Sequence, residues 1–365
     1  MEHAPAWIGF LCFVFVMLGL DLGVFHRKAH AIGFREALGW STIWLAMGLS
    51  FAVFVFYAYE LKWWGLGLAV DPVDGSINSG SSAAQKYLTG YVVEKSLSVD
   101  NIFVIAMIFS SLAVPAMYQH RVLFWGILGA IAMRGVMIVV GARLIAEFHW
   151  LLILFAGFLI FTGIKMLLAK DDHADPSESL VVRQLRRWLP LSDQFHGQRF
   201  FVPRDRNHSG RSALMLTPLA LALILVEAAD LVFAVDSIPA VFAITGDPFL
   251  VFTSNVFAIL GLRSLYFALA GMVGMFRYLK PALAIVLLVV GTKMLTAESL
   301  KHTLGPHFNL YLLGLIVAIL ATGVVASMIY DRRILARSRH AMAGRSEGAT
   351  PAFLMLPTNE KTAKR

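Results

Sequence analysis

Nine apolar stretches, each about as long as a bilayer is thick, constrain this chain more than any other feature. They run over about 7–25, 38–59, 87–112, 121–146, 149–168, 214–242, 248–271, 281–299 and 309–330. Crossing the hydrocarbon as a helix takes roughly 20 mainly apolar residues. Lipid offers no partner to an open backbone group, so a segment of this kind spans as a helix that closes its own hydrogen bonds. Composition agrees. Charged residues are 15% and hydrophobic residues 58%, against about 25% charged in a soluble domain, and mean hydropathy is +0.71. That leaves too little polar surface to coat a soluble globule of 365 residues. The expected fold is all-α, a polytopic membrane protein of about nine transmembrane helices. Residues 1–330 form one transmembrane domain, and 331–365 form a basic, flexible tail.

The net charge of +8 does not point to nucleic acid, because the charges lie at span ends and in loops. Such placement encodes orientation. With the N-terminus outside, twenty-two Lys and Arg fall in inner segments and four in outer ones. An N-out, C-in topology follows. The first stretch is read as a retained span, because Arg27 and Lys28 follow its apolar run, the reverse of a signal peptide. The connection 170–213 reads as a solvated cytoplasmic loop, and Gly75 to Ser82 as an external one. Cys12 stands alone, which excludes a disulfide framework or a cysteine zinc site.

The chain repeats itself. Ser98-Val99-Asp100-Asn101-Ile102 aligns with Ala234-Val235-Asp236-Ser237-Ile238. Six residues before each Asp lies another acid, Glu94 or Asp230. The next span of each set holds Arg134 or Arg263, and the third holds Gly163-Ile164-Lys165-Met166-Leu167 or Gly291-Thr292-Lys293-Met294-Leu295. The repeats cover about 87–168 and 214–299. An odd number of spans per copy inverts one against the other, a common transporter architecture with its site near the midplane.

Five acids lie inside spans: Glu94, Asp100, Glu227, Asp230 and Asp236. Each costs about 2.5–3.5 kcal/mol there, or roughly 12–17 kcal/mol for five left unpaired. Five buried bases, Lys95, Arg134, Lys165, Arg263 and Lys293, balance them formally. A structural ion-pair network accounts for Arg134 and Arg263. It accounts less well for acids confined to two helices. At about 100° per residue, positions seven apart share a face, so Glu94 with Asn101, and Asp230 with Ser237, present oxygen donors to one side. Asp100 and Asp236 lie beside that face, and Glu227 is one turn before Asp230. Glu94, Asp100, Asp230 and Asp236 are the expected metal ligands, with Asn101, Ser237 and Glu227 next in line. Arg134, Arg263 and Lys95 are the expected supporting ion pairs. A donor set made only of oxygen suits Mg²⁺, Ca²⁺ or Mn²⁺. Adding a divalent ion to a balanced dry core is costly, and exchange for protons would relieve it.

At these residues the chain resembles the TerC family of integral membrane proteins, and its riboswitch-linked Alx-type members most closely. The matching stretches are LDLG at 20–23, EKSLSVDN at 94–101, VEAADLVFAVDSIPA at 226–240, SNVFAILGLRSLYF at 254–267 and GTKM at 291–294. The resemblance implies a manganese exporter of the bacterial inner membrane, with tellurium resistance as an indirect trait. It carries metal binding onto Glu94, Asp100, Asn101, Glu227, Asp230 and Asp236. Two rivals remain: a membrane-embedded factor that hands metal to, or assembles, secreted and membrane proteins, and an exporter of a small organic solute. An enzyme is not expected, since no nucleophile–His–acid set or cofactor loop occurs within the spans. No resident cofactor and no nucleic-acid partner are expected; the partners are a divalent metal ion and the lipid bilayer.

Overall fold

A computed structural model describes residues 4–23, 33–148, 150–168, 192, 194–203, 214–269, 278–304 and 308–347. The side chains of Asp21, Asp100, 297–304 and 331–347 lie outside the described set. So does most of the connection 170–213.

Ten α-helices are described: α1 Ala4–Gly23, α2 Phe34–Glu60, α3 Gly80–Ser111, α4 Ala116–Glu147, α5 Trp150–Leu168, α6 Pro218–Phe242, α7 Pro248–Leu260, α8 Leu262–Leu269, α9 Leu279–Leu304 and α10 Phe308–Glu347. The protein is an all-α polytopic membrane protein. Among the described residues, seven spans are long and apolar enough to cross a membrane, with α7 and α8 counted together. Helix α1 is a shorter apolar helix. Helix α3 has the length, at 32 residues, but carries Lys86, Glu94, Lys95 and Asp100 along it.

Local chemistry sets the boundaries. Ser79 caps α3 by accepting from the Ser82 amide. Thr217 caps α6 and Asp247 caps α7, each followed by a proline at the first helical position, where the missing N–H costs nothing. Three expected boundaries shift. The sixth span begins at Pro218, because Leu214–Leu216 instead forms a short antiparallel ribbon with Phe201–Pro203. Residues 80–82, expected in the external loop, are the first turn of α3. Residues 331–347, expected in the tail, continue α10 as helix. Helix α6 runs through Pro239 to Phe242.

Span α7–α8 is the centre of the bundle. Of its apolar window 94% is buried inside the protein, against 17% for α5. It breaks at Gly261, where a Cβ would stand 2.8 Å from Lys95 Nζ and 3.0 Å from Trp44 Cβ. Around it, α3 packs on α7 and on α6, α4 packs on α6 and on α7, and α5 packs along α9. Phe10, Phe51, Tyr87, Phe252 and Phe257 fill one core cluster. Large apolar side chains such as Val53, Val136, Ile153, Phe161 and Val232 are left exposed on the outer surface, as a lipid-facing surface requires.

The α5–α9 contact is reciprocal. A Cβ on Gly163 would meet the Ala284 carbonyl at 2.9 Å, and one on Gly291 would meet the Ala156 carbonyl at 3.1 Å. Each glycine thus faces the residue seven before the other. Small residues of this kind let helix backbones approach where lipid supplies no hydrophobic drive.

One end of the bundle is clamped. The α2–α3 loop folds back on itself, with an antiparallel bridge between Val70 and Ile77. Lys86 Nζ donates to Asp71 at 2.8 Å and to Asn78 Oδ1 at 2.6 Å, and pairs with Asp74 at 2.9 Å. Asp71 also accepts from the Thr245 hydroxyl at 2.5 Å and the Gly246 amide at 2.8 Å in the α6–α7 turn. The Tyr59 hydroxyl donates to Asp247 at 2.7 Å. These bonds tie the start of α3 to the end of α6.

Candidate metal centre

Helices α3, α4, α6 and α7 meet at a buried polar cluster. Helix α3 supplies Glu94, Ser98 and Asn101, which lie on one side of it because their spacings of four and seven residues nearly complete whole turns. Helix α6 supplies Asp230 and Ser237, again seven apart. Helix α4 inserts Arg134 between them, and α7 adds Asn255.

Arg134 is 1% exposed and Glu94 fully buried. Its Nη1 donates to Glu94 Oε1, to Ser237 Oγ at 3.1 Å and to Asn255 Oδ1 at 3.0 Å. Its Nη2 and Nε reach the two oxygens of Asp230 at 3.2 and 3.4 Å. Asn101 Nδ2 donates to Asp230 Oδ1 at 3.4 Å. Two oxygens of the cluster, Glu94 Oε2 and Asn101 Oδ1, are buried and accept no hydrogen bond from the described residues. Two carboxylates face one guanidinium here, so the described cluster carries a formal excess of one negative charge. Buried acceptors are nearly always satisfied, and a buried uncompensated charge is costly. An arrangement of this kind can accept a further cation through its open oxygens.

A cavity of about 20 Å³, room for one water-sized guest, adjoins Asn101 and Asp230. Its walls continue through Ile105, Leu123 and Val226, away from the clamped end and toward the α3–α4 turn.

The expected residues do not all arrive together. Glu94, Asn101, Asp230, Ser237 and Arg134 do. Asp236 is half-buried, and its charged neighbour is Lys165 of α5. It lies six residues after Asp230, about 120° round the helix from that face. The Glu227 carboxylate lies over Gly129 of α4, in the space a Cβ there would need. Lys95, an expected ion-pair residue, donates from Nζ to the Ala258 carbonyl at 3.0 Å, where the break at Gly261 opens room for its ammonium. Arg263 is buried and partnered at the start of α8. Among the described residues no group of three or more His, Cys, Asp and Glu could hold a metal; the groups that meet are the carboxylates of Glu94 and Asp230, the amides of Asn101 and Asn255 and the Ser237 hydroxyl. Asn255 was missed from sequence, although a fully buried amide in an apolar span is itself a signal.

Residues 79–335 match the integral membrane protein TerC family. The chain belongs to the TerC family. It is 49% identical over 335 residues to the "Uncharacterized membrane protein STKORF319" of Myxococcus xanthus, covering 92% of this chain and 93% of that protein. It is 44% identical over 317 residues to the "Putative membrane-bound redox modulator Alx" of Salmonella typhi, covering 85% and 92%. The protein of the same name from Escherichia coli K12 is 45% identical over 293 residues, covering 80% and 86%. No solved structure matches. The TerC match takes in α3 to α9 and most of α10, and with them the whole polar cluster.

Proposed function

We propose that this TerC protein is a membrane transporter that exports a divalent cation, manganese first among the hard ions, from the cytoplasm across a bacterial inner membrane. The observation that carries this reading is the pair of open buried oxygens, Glu94 Oε2 and Asn101 Oδ1, beside Asp230 in a cluster with excess negative charge. Oxygen donors of this kind suit Mn²⁺, Mg²⁺ and Ca²⁺ better than soft ions.

Alternating access is the mode we infer, with spans α3–α5 and α6–α9 as inverted repeats. Support comes from the packing. Exchanging α3 with α6 and α4 with α7 turns the α3–α7 contact into the α6–α4 contact, and both exist. The reciprocal Gly163 and Gly291 contacts obey the same exchange. Under N-out topology the clamp seals the outer end and the cavity beside Asp230 runs inward, an arrangement suited to loading from the cytoplasm. Protons leaving neighbouring acids would offset the charge of the arriving ion. The relatives' name speaks of redox. One cysteine in this sequence cannot cycle between dithiol and disulfide within a chain, so a redox effect would follow from the metal moved.

The test is manganese content in cells loaded with Mn²⁺ and expressing wild type, Glu94→Gln or Asp230→Asn at equal levels. Wild type is expected to hold less manganese than cells without the protein, and both variants to match those cells. Equal manganese with and without the wild-type protein would remove the reading.

A further inference from the structure

We propose that Arg134 is the transporter's resident counter-cation: it fills the acidic centre when no metal is bound, and it transfers to Ser237 and Asn255 when metal arrives. The proposal rests on the cation-transport reading above.

The geometry supplies both positions. Nη1 carries two hydrogens, yet three acceptors lie within reach: Glu94 Oε1, Ser237 Oγ and Asn255 Oδ1. It cannot serve all three at once. Two of them are neutral and belong to α6 and α7, so the guanidinium keeps hydrogen-bond partners there when a metal ion takes its place on the acids. The acids it would leave come one from each proposed repeat, Glu94 from α3 and Asp230 from α6. Arg134 is nearly fully buried, so withdrawal is a rotation within the cluster and does not need solvent.

Charge explains why a carrier would hold such a group. An empty site with two buried carboxylates and no cation is expensive to carry through the closed, dry state. With Arg134 across both acids, the empty carrier can turn over and return for another ion. With metal in place the ion itself neutralises them. Arg134 is then needed for the return of the empty carrier and not for the passage of the loaded one.

That separation is measurable in proteoliposomes. Net Mn²⁺ flux requires the empty carrier to return, whereas exchange of labelled for unlabelled Mn²⁺ across the membrane uses the loaded carrier alone. In Arg134→Gln, net flux is expected to fall by roughly tenfold or more relative to exchange. The Mn²⁺ concentration for half-maximal exchange should also fall, since no tethered cation competes. Equal loss of flux and exchange in a folded, monodisperse Arg134→Gln overturns the proposal. Should that variant not fold, Arg134→Lys decides. A point charge cannot span both acids as a planar fork does, so the ratio of net flux to exchange should drop, and an unchanged ratio overturns the proposal. A wild type with neither flux nor exchange removes the transport reading itself, a result distinct from failure of the Arg134 role.

Discussion

Glu227 shows how one side chain constrains another helix. Its carboxylate occupies the space above Gly129, and a methyl group there would overlap Oε1. Gly129→Ala is expected to cost about 1–3 kcal/mol by overpacking and to move the carboxylate. Replacing Glu227 by Ala in the same chain should recover most of that loss. Thermal unfolding of the two single variants and the double variant in detergent checks this as a cycle. Additive losses would mean that the two residues do not touch.

Elements depend on close backbone approach. Helices α5 and α9 meet through Gly163 and Gly291, each against a carbonyl of the other helix. Gly163→Leu or Gly291→Leu should each destabilise by about 1–3 kcal/mol. The double variant should lose less than the sum, because one separation of the helices relieves both clashes. The pair of melting temperatures against that of the double variant reads this directly. If α5 and α9 move as a pair during transport, both variants will also slow Mn²⁺ flux. The break between α7 and α8 has a similar cause, since Gly261 leaves room for Lys95 to reach the Ala258 carbonyl.

At the scale of the whole molecule, the clamp joins the α2–α3 loop to the α6–α7 turn. Burial pushes the Asp71 carboxyl up, but the Lys86 ammonium and hydrogen bonds from Lys86, Thr245 and Gly246 outweigh it, and the net direction is down. Asp74 behaves alike, with Lys86 and Ser76 opposing burial. Carboxylates with lowered values in the folded state stabilise it above their ordinary value, about pH 4. That stability is lost as pH falls through the lowered values. Asp247 has the opposite sign, because burial raises it despite the Tyr59 hydrogen bond. Wild type is therefore expected to lose stability in acid. Lys86→Met should lose roughly 3–5 kcal/mol at neutral pH, as a buried pair broken on one side does. It should regain part of that as Asp71 and Asp74 take up protons, so the acid limb inverts. Melting temperature from about pH 7 to about pH 3 tests both signs.

The all-α membrane-spanning character, the approximate limits of most of its helices and the family motifs were legible in the linear chain, because lipid demands long apolar helices and makes each buried charge conspicuous. The faces were legible where spacing was seven, as for Glu94 with Asn101 and Asp230 with Ser237. Spacing of six is less direct, since it sets Asp236 about 120° round from Asp230, with Lys165 as a charged neighbour. Only the tertiary structure decided which acids meet, that Arg134 bridges them, that Asn255 joins them and that Lys95 serves a broken helix. Helical periodicity states where a side chain points from its own axis. Which neighbour stands there depends on how close two backbones can come, and that is set by glycines and caps on elements far apart in sequence.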